Sequence, residues 1–293
     1  MKASPVNIRL SWGIMEGLHW SNPGAPKLLC LHGWLDNAAS FVPLAPFLED
    51  FDLLAVDFAG HGFSSHRPTT NHYYFADNLF DVDAALDALG WEKCHIIGHS
   101  MGAGVASSFA AALPERLDRL VLLDAVGIMT LPANRTAGQL RSSMMSVRKR
   151  RSFLRPYESI EEAMRARQKN SPLSDEAARL LCERALEHTG DYYQWRTDPR
   201  LNWRSPQFQG DAQALDLLAA IRSPTLVMTS PAVLEYLGDE MMQKRLSAIA
   251  DCRHLANDGH HHFHMEQAEK TGACITEFLL QTERSQGADH DNC

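Results

Sequence analysis

The chain contains no apolar run approaching the ~20 residues that a membrane-crossing helix needs, so no spanning segment is expected. Its opening residues, Met1-Lys2-Ala3-Ser4-Pro5, lack the apolar core of a secretory leader. Basic charge is in the minority: 28 Lys and Arg stand against 36 Asp and Glu, and a net charge of −8 argues against a dedicated nucleic-acid binder. The six cysteines (Cys30, Cys94, Cys182, Cys252, Cys274 and Cys293) include no C-x-x-C pair, and several fall inside apolar strand or helix patterns. They read as reduced, mostly buried thiols. Asp291-Asn292-Cys293 lacks the C-a-a-X arrangement, so prenylation is unsupported. Together these absences lead us to expect a cytoplasmic location without integral membrane association. What is present is an ordinary globular composition, 45% hydrophobic and 22% charged over 293 residues. That suits one large domain or a domain carrying an insertion.

The chain is organised around Gly98-His99-Ser100-Met101-Gly102. An apolar stretch, Cys94 to Ile97, precedes it and reads as a buried strand; an Ala-rich helix former, Ala103 to Leu113, follows and stops at Pro114. A serine between two glycines at such a turn has the G-x-S-x-G pattern of a nucleophile elbow. The turn is so tight that side chains at positions 98 and 102 would collide with neighbouring backbone. The Ser100 hydroxyl would then stand at a helix N-terminus, where N–H groups and the dipole favour a developing oxyanion.

Around this stretch, strands alternate with helices. Val6–Leu10 and Ile14–Trp20 read as strands joined at Gly13, followed by Leu28–Leu31, a short helix over Phe41–Leu48, and a strand over Asp52–Val56. Helical spacing runs over Phe75–Leu89, a strand over Leu117–Leu123, and a further strand over Thr225–Thr229. A helix over Gly238–Ile249, a last short strand Cys252–Leu255 and a closing helix to about Leu280 complete the pattern. The expected fold is α/β, a doubly wound, mostly parallel sheet with right-handed crossovers. Ligands bind such sheets beyond the carboxyl ends of the strands, where Trp34, Ser100 and Asp124 all fall. Asp57 and Ser64, in a Gly-rich loop, read as loop-bracing hydrogen bonders.

From Leu131 to about Phe208 the sheet pattern gives way to helical segments interrupted by Pro156, Pro172, Pro199 and Pro206, an inserted helical cap without strands. The division is then 1–130 core, 131–209 cap, 210–284 core and 285–293 flexible tail. The cap carries a basic stretch, Arg141, Arg148, Lys149, Arg150, Arg151 and Arg155, with no acidic residue among them. A solvated helix face is the simpler reading, and a site for an anionic partner the sharper one. Met144, Met145, Phe153 and Leu154 read as helix core or as the lining of a substrate tunnel. The histidine cluster His260-His261-His262-Phe263-His264 could suggest zinc, but adjacent histidines on a short loop do not readily wrap one tetrahedral ion, so no metal is assigned.

The segments LHGWLDNAASF, DFAGHGFSS, GHSMGAGVA and WRTDPRLNWRSP, with the late Gly-His stretch, resemble the α/β-hydrolase fold and, within it, the serine hydrolase-like group, from Ile8 to Leu280. The resemblance implies a cofactor-free serine hydrolase with a Ser-His-acid triad and two backbone N–H donors, those of Trp34 and Met101, as an oxyanion hole. Most members place the acid after the strand equivalent to Thr225–Thr229, where this chain has Ala232. Some branches place it after the strand that follows the elbow helix, which selects Asp124, with Glu235 and Asp239 as fallbacks. The family's Gly-His-Glu spacing, counted back from Glu266, selects His261, while adjacency to Gly259 would select His260. The implied substrates are carboxylic esters of small or medium acyl groups, with thioesters or amides as variants. Carbon–carbon hydrolysis, perhydrolysis and non-catalytic ligand binding are the alternatives.

Overall fold

The computed structural model describes residues 2–68, 72–149, 155–169 and 171–281. Arg150, Arg151, Phe153, Leu154 and the tail 285–293 lie outside them. Eight strands form one sheet: β1 (Ser4–Leu10), β2 (Gly13–Trp20), β3 (Lys27–Leu31), β4 (Asp52–Val56), β5 (Cys94–His99), β6 (Leu117–Leu123) and, after a long insertion containing β7 and β8, β9 (Thr225–Thr229) and β10 (Cys252–Ala256). Their order across the sheet is β1-β2-β4-β3-β5-β6-β9-β10. The first two strands pair antiparallel, as do β2 and β4; every other pairing is parallel.

Alternate residues of the central strands point to opposite faces, so each strand serves two cores. Leu29, Leu31, Ile96, Leu120, Leu122 and Val227 pack on one face. Helices α1 (Asp77–Leu89) and α2 (Met101–Ala112) cover it, together with α6 (Asp211–Ala220) and α8 (Asp239–Ala248), which follow the insertion. Leu28, Cys30, Ile97, Val121, Leu123 and Leu226 pack on the other, under Phe263 and the closing helix α10 (Ala268–Leu280), reached through the short α9 (Phe263–Glu266).

Three local expectations change. Over Phe41–Leu48 there is no α-helix but two 3₁₀ turns, Ala38–Phe41 and Ala45–Phe47. Pro43 and Pro46 supply no N–H there, while Asn37 caps the first turn by accepting from Ala39 N–H at 3.0 Å. Ahead of α8 stands an additional helix, α7 (Pro231–Leu237), capped by Ser230 and ended at Gly238, whose φ of 72° breaks the helical path. The insertion between β6 and α6 carries α3 (Thr136–Arg148), α4 (Ile160–Gln168) and α5 (Asp175–Ala185), but also a small hairpin, β7 (Leu186–His188) with β8 (Tyr193–Trp195). At three residues per strand, the hairpin is too short for alternation to reveal. The insertion has its own apolar cluster around Ala163, Leu181 and Cys182, which Met265 joins to the rest. No helix among the described residues is long and apolar enough to cross a membrane.

His32 is buried in a way that only the neutral ring satisfies. His32 Nδ1–H donates to Gly33 O at 2.7 Å, while its Nε2 accepts from Phe58 N–H at 3.0 Å. Burial pushes His32 and His99 down to about 4, and His61 beside His32 down to about 3. The unfolded chain takes up protons near pH 6.5 that the folded chain refuses, so stability is complete above about 6.5 and falls as pH drops toward 4. In an Asp81→Asn background the urea midpoint is therefore expected to decline between about pH 6.5 and 5. The substitution is needed because burial raises the Asp81 carboxyl to about 6, and its proton uptake over the same interval acts in the opposite direction. A midpoint flat over that interval would mean that these rings are not held neutral.

Candidate active site

The elbow is built by close backbone approach. β5 runs into Ser100, which adopts φ 53° and ψ −114°, and α2 begins at the next residue. A Cβ on Gly98 would lie 2.4 Å from Gly102 O, and one on Gly102 would lie 2.1 Å from Leu31 O. Glycine is thus required at both positions, for the steric reason that the sequence suggests. Three non-glycine residues adopt positive φ among the described residues: Leu35 (61°), Ser100 (53°) and Asp124 (53°). All three lie just beyond the carboxyl ends of the adjacent strands β3, β5 and β6. Backbone strain is concentrated at one end of the sheet.

There the structure brings Ser100, His261 and Asp124 together. Ser100 Oγ lies 2.9 Å from His261 Nε2, and His261 Nδ1 lies 2.5 Å from Asp124 Oδ2. The other carboxylate oxygen of Asp124 accepts from Ser230 N–H at 2.6 Å. Burial alone would raise the Asp124 pKa, but the hydrogen bonds from His261 and Ser230 outweigh it and hold the carboxyl below its ordinary value. Ser230, just ahead of the position where the common acid would be sought, therefore secures the carboxylate rather than supplying one. The fallback acids Glu235 and Asp239 are exposed on α7 and α8, away from this contact, as is His260.

The sequence points to two backbone donors, the N–H groups of Trp34 and of Met101, the residue that follows Ser100. Among the described residues, neither Trp34 N–H nor Met101 N–H has an internal acceptor. Both belong to turns at strand ends, Trp34 within the Gly33–Asp36 turn closed by Asp36 N–H to Gly33 O at 3.1 Å. The Trp34 ring is half exposed. Asp57 and Ser64 brace their loop as expected. Asp57 accepts from Ala38 N–H (2.7 Å), Phe63 N–H (2.9 Å) and the Arg184 guanidinium, and Ser64 Oγ donates to Asp57 O at 2.6 Å.

Sequence reading missed a buried polar hub next to these groups. The Asp36 carboxylate accepts from Arg167 of α4 and from His262 Nε2 at 3.1 Å, and His99 Nδ1 stands 3.5 Å away. Arg167 also donates to Leu35 O at 3.0 Å. His99 Nε2–H donates to the carbonyl of His261 at 2.8 Å. Burial alone would raise the Asp36 pKa, but His262 and Arg167 hold it well below the usual carboxylate range. His262 and His264 do face away from the Ser100 contact: His262 Nδ1 meets Ser171 Oγ at 3.0 Å and His264 Nε2 meets Ser40 Oγ at 2.7 Å. Ligand atoms of Asp36, His99 and His262 fall within 4.8 Å of one another, close enough to share an ion. The Arg167 guanidinium already occupies that carboxylate, and a dication there would confront it. The hub joins residues 36, 99, 167 and 262, and no local spacing signals such a set.

The chain is similar to known proteins along most of its length. The family model described as alpha/beta hydrolase fold matches residues 26–263. A serine hydrolase-like protein of Danio rerio is 32% identical, over 97% of this chain and 92% of its own length. One from Dictyostelium discoideum is 33% identical, over 94% and 81% respectively. The crystal structure of a hypothetical protein from Pseudomonas aeruginosa, 33% identical, superposes with a TM-score of 0.85 over 96% of this chain and all of that one. By motif, sheet topology and these likenesses, the chain belongs to the alpha/beta-hydrolase fold family and to its serine hydrolase-like group.

Proposed function

We propose that this protein cleaves carboxylic esters, with thioesters or amides as variants, through an acyl-enzyme on Ser100. The observation that carries the reading is the unbroken line Ser100 Oγ–His261–Asp124, with contacts of 2.9 and 2.5 Å. In this reading Ser100 Oγ attacks the acyl carbon as His261 Nε2 takes its proton. The carbonyl oxygen, now an oxyanion, accepts from Trp34 and Met101 N–H. His261 returns the proton to the leaving alcohol, and water then repeats the sequence to free the acid. Asp124 keeps the His261 proton on Nδ1, leaving Nε2 free to accept, and stabilises the imidazolium. No resident cofactor enters this chemistry.

The Asp36–Arg167–His262 hub acts here as a positioning device. It ties the turn bearing Trp34 to α4 and to the loop bearing His261. Reacting groups misplaced by about 1 Å can cost roughly 100-fold in rate.

Two sets of variants test the proposal. Against fluorophosphonate probes and short-chain p-nitrophenyl esters, Ser100→Ala and His261→Ala are expected to lower kcat by roughly 10⁴-fold or more, and Asp124→Asn by about 10⁴-fold. His260→Ala is expected to stay near wild type. A folded wild-type protein that neither labels nor turns over would sink the reading and favour ligand binding without catalysis. Arg167→Ala is expected to lower kcat by about 10- to 100-fold with little change in KM, and Arg167→Lys to recover part of that loss. Equal loss in both variants, tracking only a drop in Tm, would reduce the hub to a structural role.

A further inference from the structure

Helix α3 is turned inside out relative to an ordinary surface helix. At 100° per residue, Leu140, Met144, Ala137, Arg148, Arg141 and Met145 fall within an arc of about 140°. All six are exposed, Leu140 at 49% and Met144 at 53%. The opposite side faces the protein and is polar. Ser143 is buried, Gln139 Nε2 donates to Ser205 O at 2.6 Å, and Ser146 Oγ accepts from Arg204 N–H at 3.1 Å. A helix selected only to float on water would place its serines outward and its Leu and Met inward. Met144 and Met145 are therefore not helix core, which corrects that part of the sequence reading.

Arg141 and Arg148 lie on this face, within the chain's longest acid-free stretch. From Ala125 to Tyr157 the sequence holds seven basic residues and no acidic one, in a chain whose net charge is −8. Among the described residues, Arg135, Arg141, Arg148 and Lys149 make no ion pair, whereas Arg155 pairs with Glu162. The rest of the molecule is strongly acidic, so it repels an anionic surface except where this ridge leads.

We propose that α3 docks on the surface of an anionic phospholipid bilayer, lying in the headgroup plane. Leu140, Met144 and Met145 would enter the acyl boundary, while Arg141 and Arg148 run their stems along them and place guanidiniums at lipid phosphates. A bilayer is the occupant of choice because the apolar and cationic side chains interleave on one exposed helix face. A fluid layer of acyl chains beneath phosphates accepts that mixture without a matching groove. The attachment is peripheral and independent of the chemistry assigned to Ser100.

The test is flotation of the full-length protein with vesicles of phosphatidylcholine alone or mixed with phosphatidylglycerol. Wild type and Ser100→Ala are expected to float equally with the mixed vesicles, and to be released by high salt. Leu140→Gln/Met144→Gln and Arg141→Gln/Arg148→Gln are each expected to reduce the bound fraction roughly tenfold at unchanged Tm, since all four side chains are exposed. No flotation of the wild type overturns the proposal, as does flotation that both double variants retain. It is likewise overturned if the variants leave flotation unchanged but raise KM for a water-soluble ester, which would assign the ridge to the substrate path. Loss of a wild-type dimer in the variants, without vesicle binding, would assign it to a second copy of this chain.

Discussion

How closely helix α2 can approach strands β3 and β5 governs the rest of the site. Bare glycine backbone at positions 98 and 102 lets the helix meet β5 and the Leu31 carbonyl at distances no side chain tolerates. That approach forces Ser100 into a left-handed turn and lifts its hydroxyl beyond the sheet. The same end of the sheet carries the strained Leu35 and Asp124. Parallel strands with their carboxyl ends aligned place three such turns side by side, and the energy stored in them is borne by the two apolar cores that hold the strands in register.

A second dependence is electrostatic. Two buried carboxylates, Asp124 and Asp36, bond the adjacent His261 and His262, and both are held below the ordinary carboxylate range against burial by partners from distant segments. Asp124 takes Ser230 N–H and His261, whereas Asp36 takes Arg167 and His262. Each is satisfied only in the assembled fold, because a lone buried carboxylate is costly. Arg167 belongs to the insertion, so the position of α4 and that of the Trp34 turn are coupled through one ion pair. The insertion is therefore joined to the site by charge as well as by its apolar contact through Met265.

The charge of the chain is divided unevenly, with its longest acid-free stretch gathered on and around α3. The insertion thus faces two ways: α4 and α5 reach inward through Arg167 and Arg184, and α3 presents its apolar and basic side chains outward. The two roles draw on the same residue type. Arg167 and Arg184 pair with Asp36 and Asp57, while Arg141 and Arg148 on α3 are exposed and make no ion pair among the described residues.

The sequence by itself determined the sheet, the elbow and most of the site's membership, because these depend on short-range rules. Apolar runs of five to seven residues between turn signals can only be buried strands here, and two glycines flanking Ser100 announce a close backbone approach. His261 and Asp124 were legible through family spacing, though nothing local distinguished them from His260 or Glu235. Which side chains converge across 137 and 161 residues of chain is visible only in the tertiary structure, where His261 meets both Ser100 and Asp124. That structure alone also revealed the Asp36–Arg167–His262 hub, and that α3 buries Ser143 and exposes Met144 and Met145. Helical periodicity identifies two faces of a helix, but only packing decides which of them meets the protein.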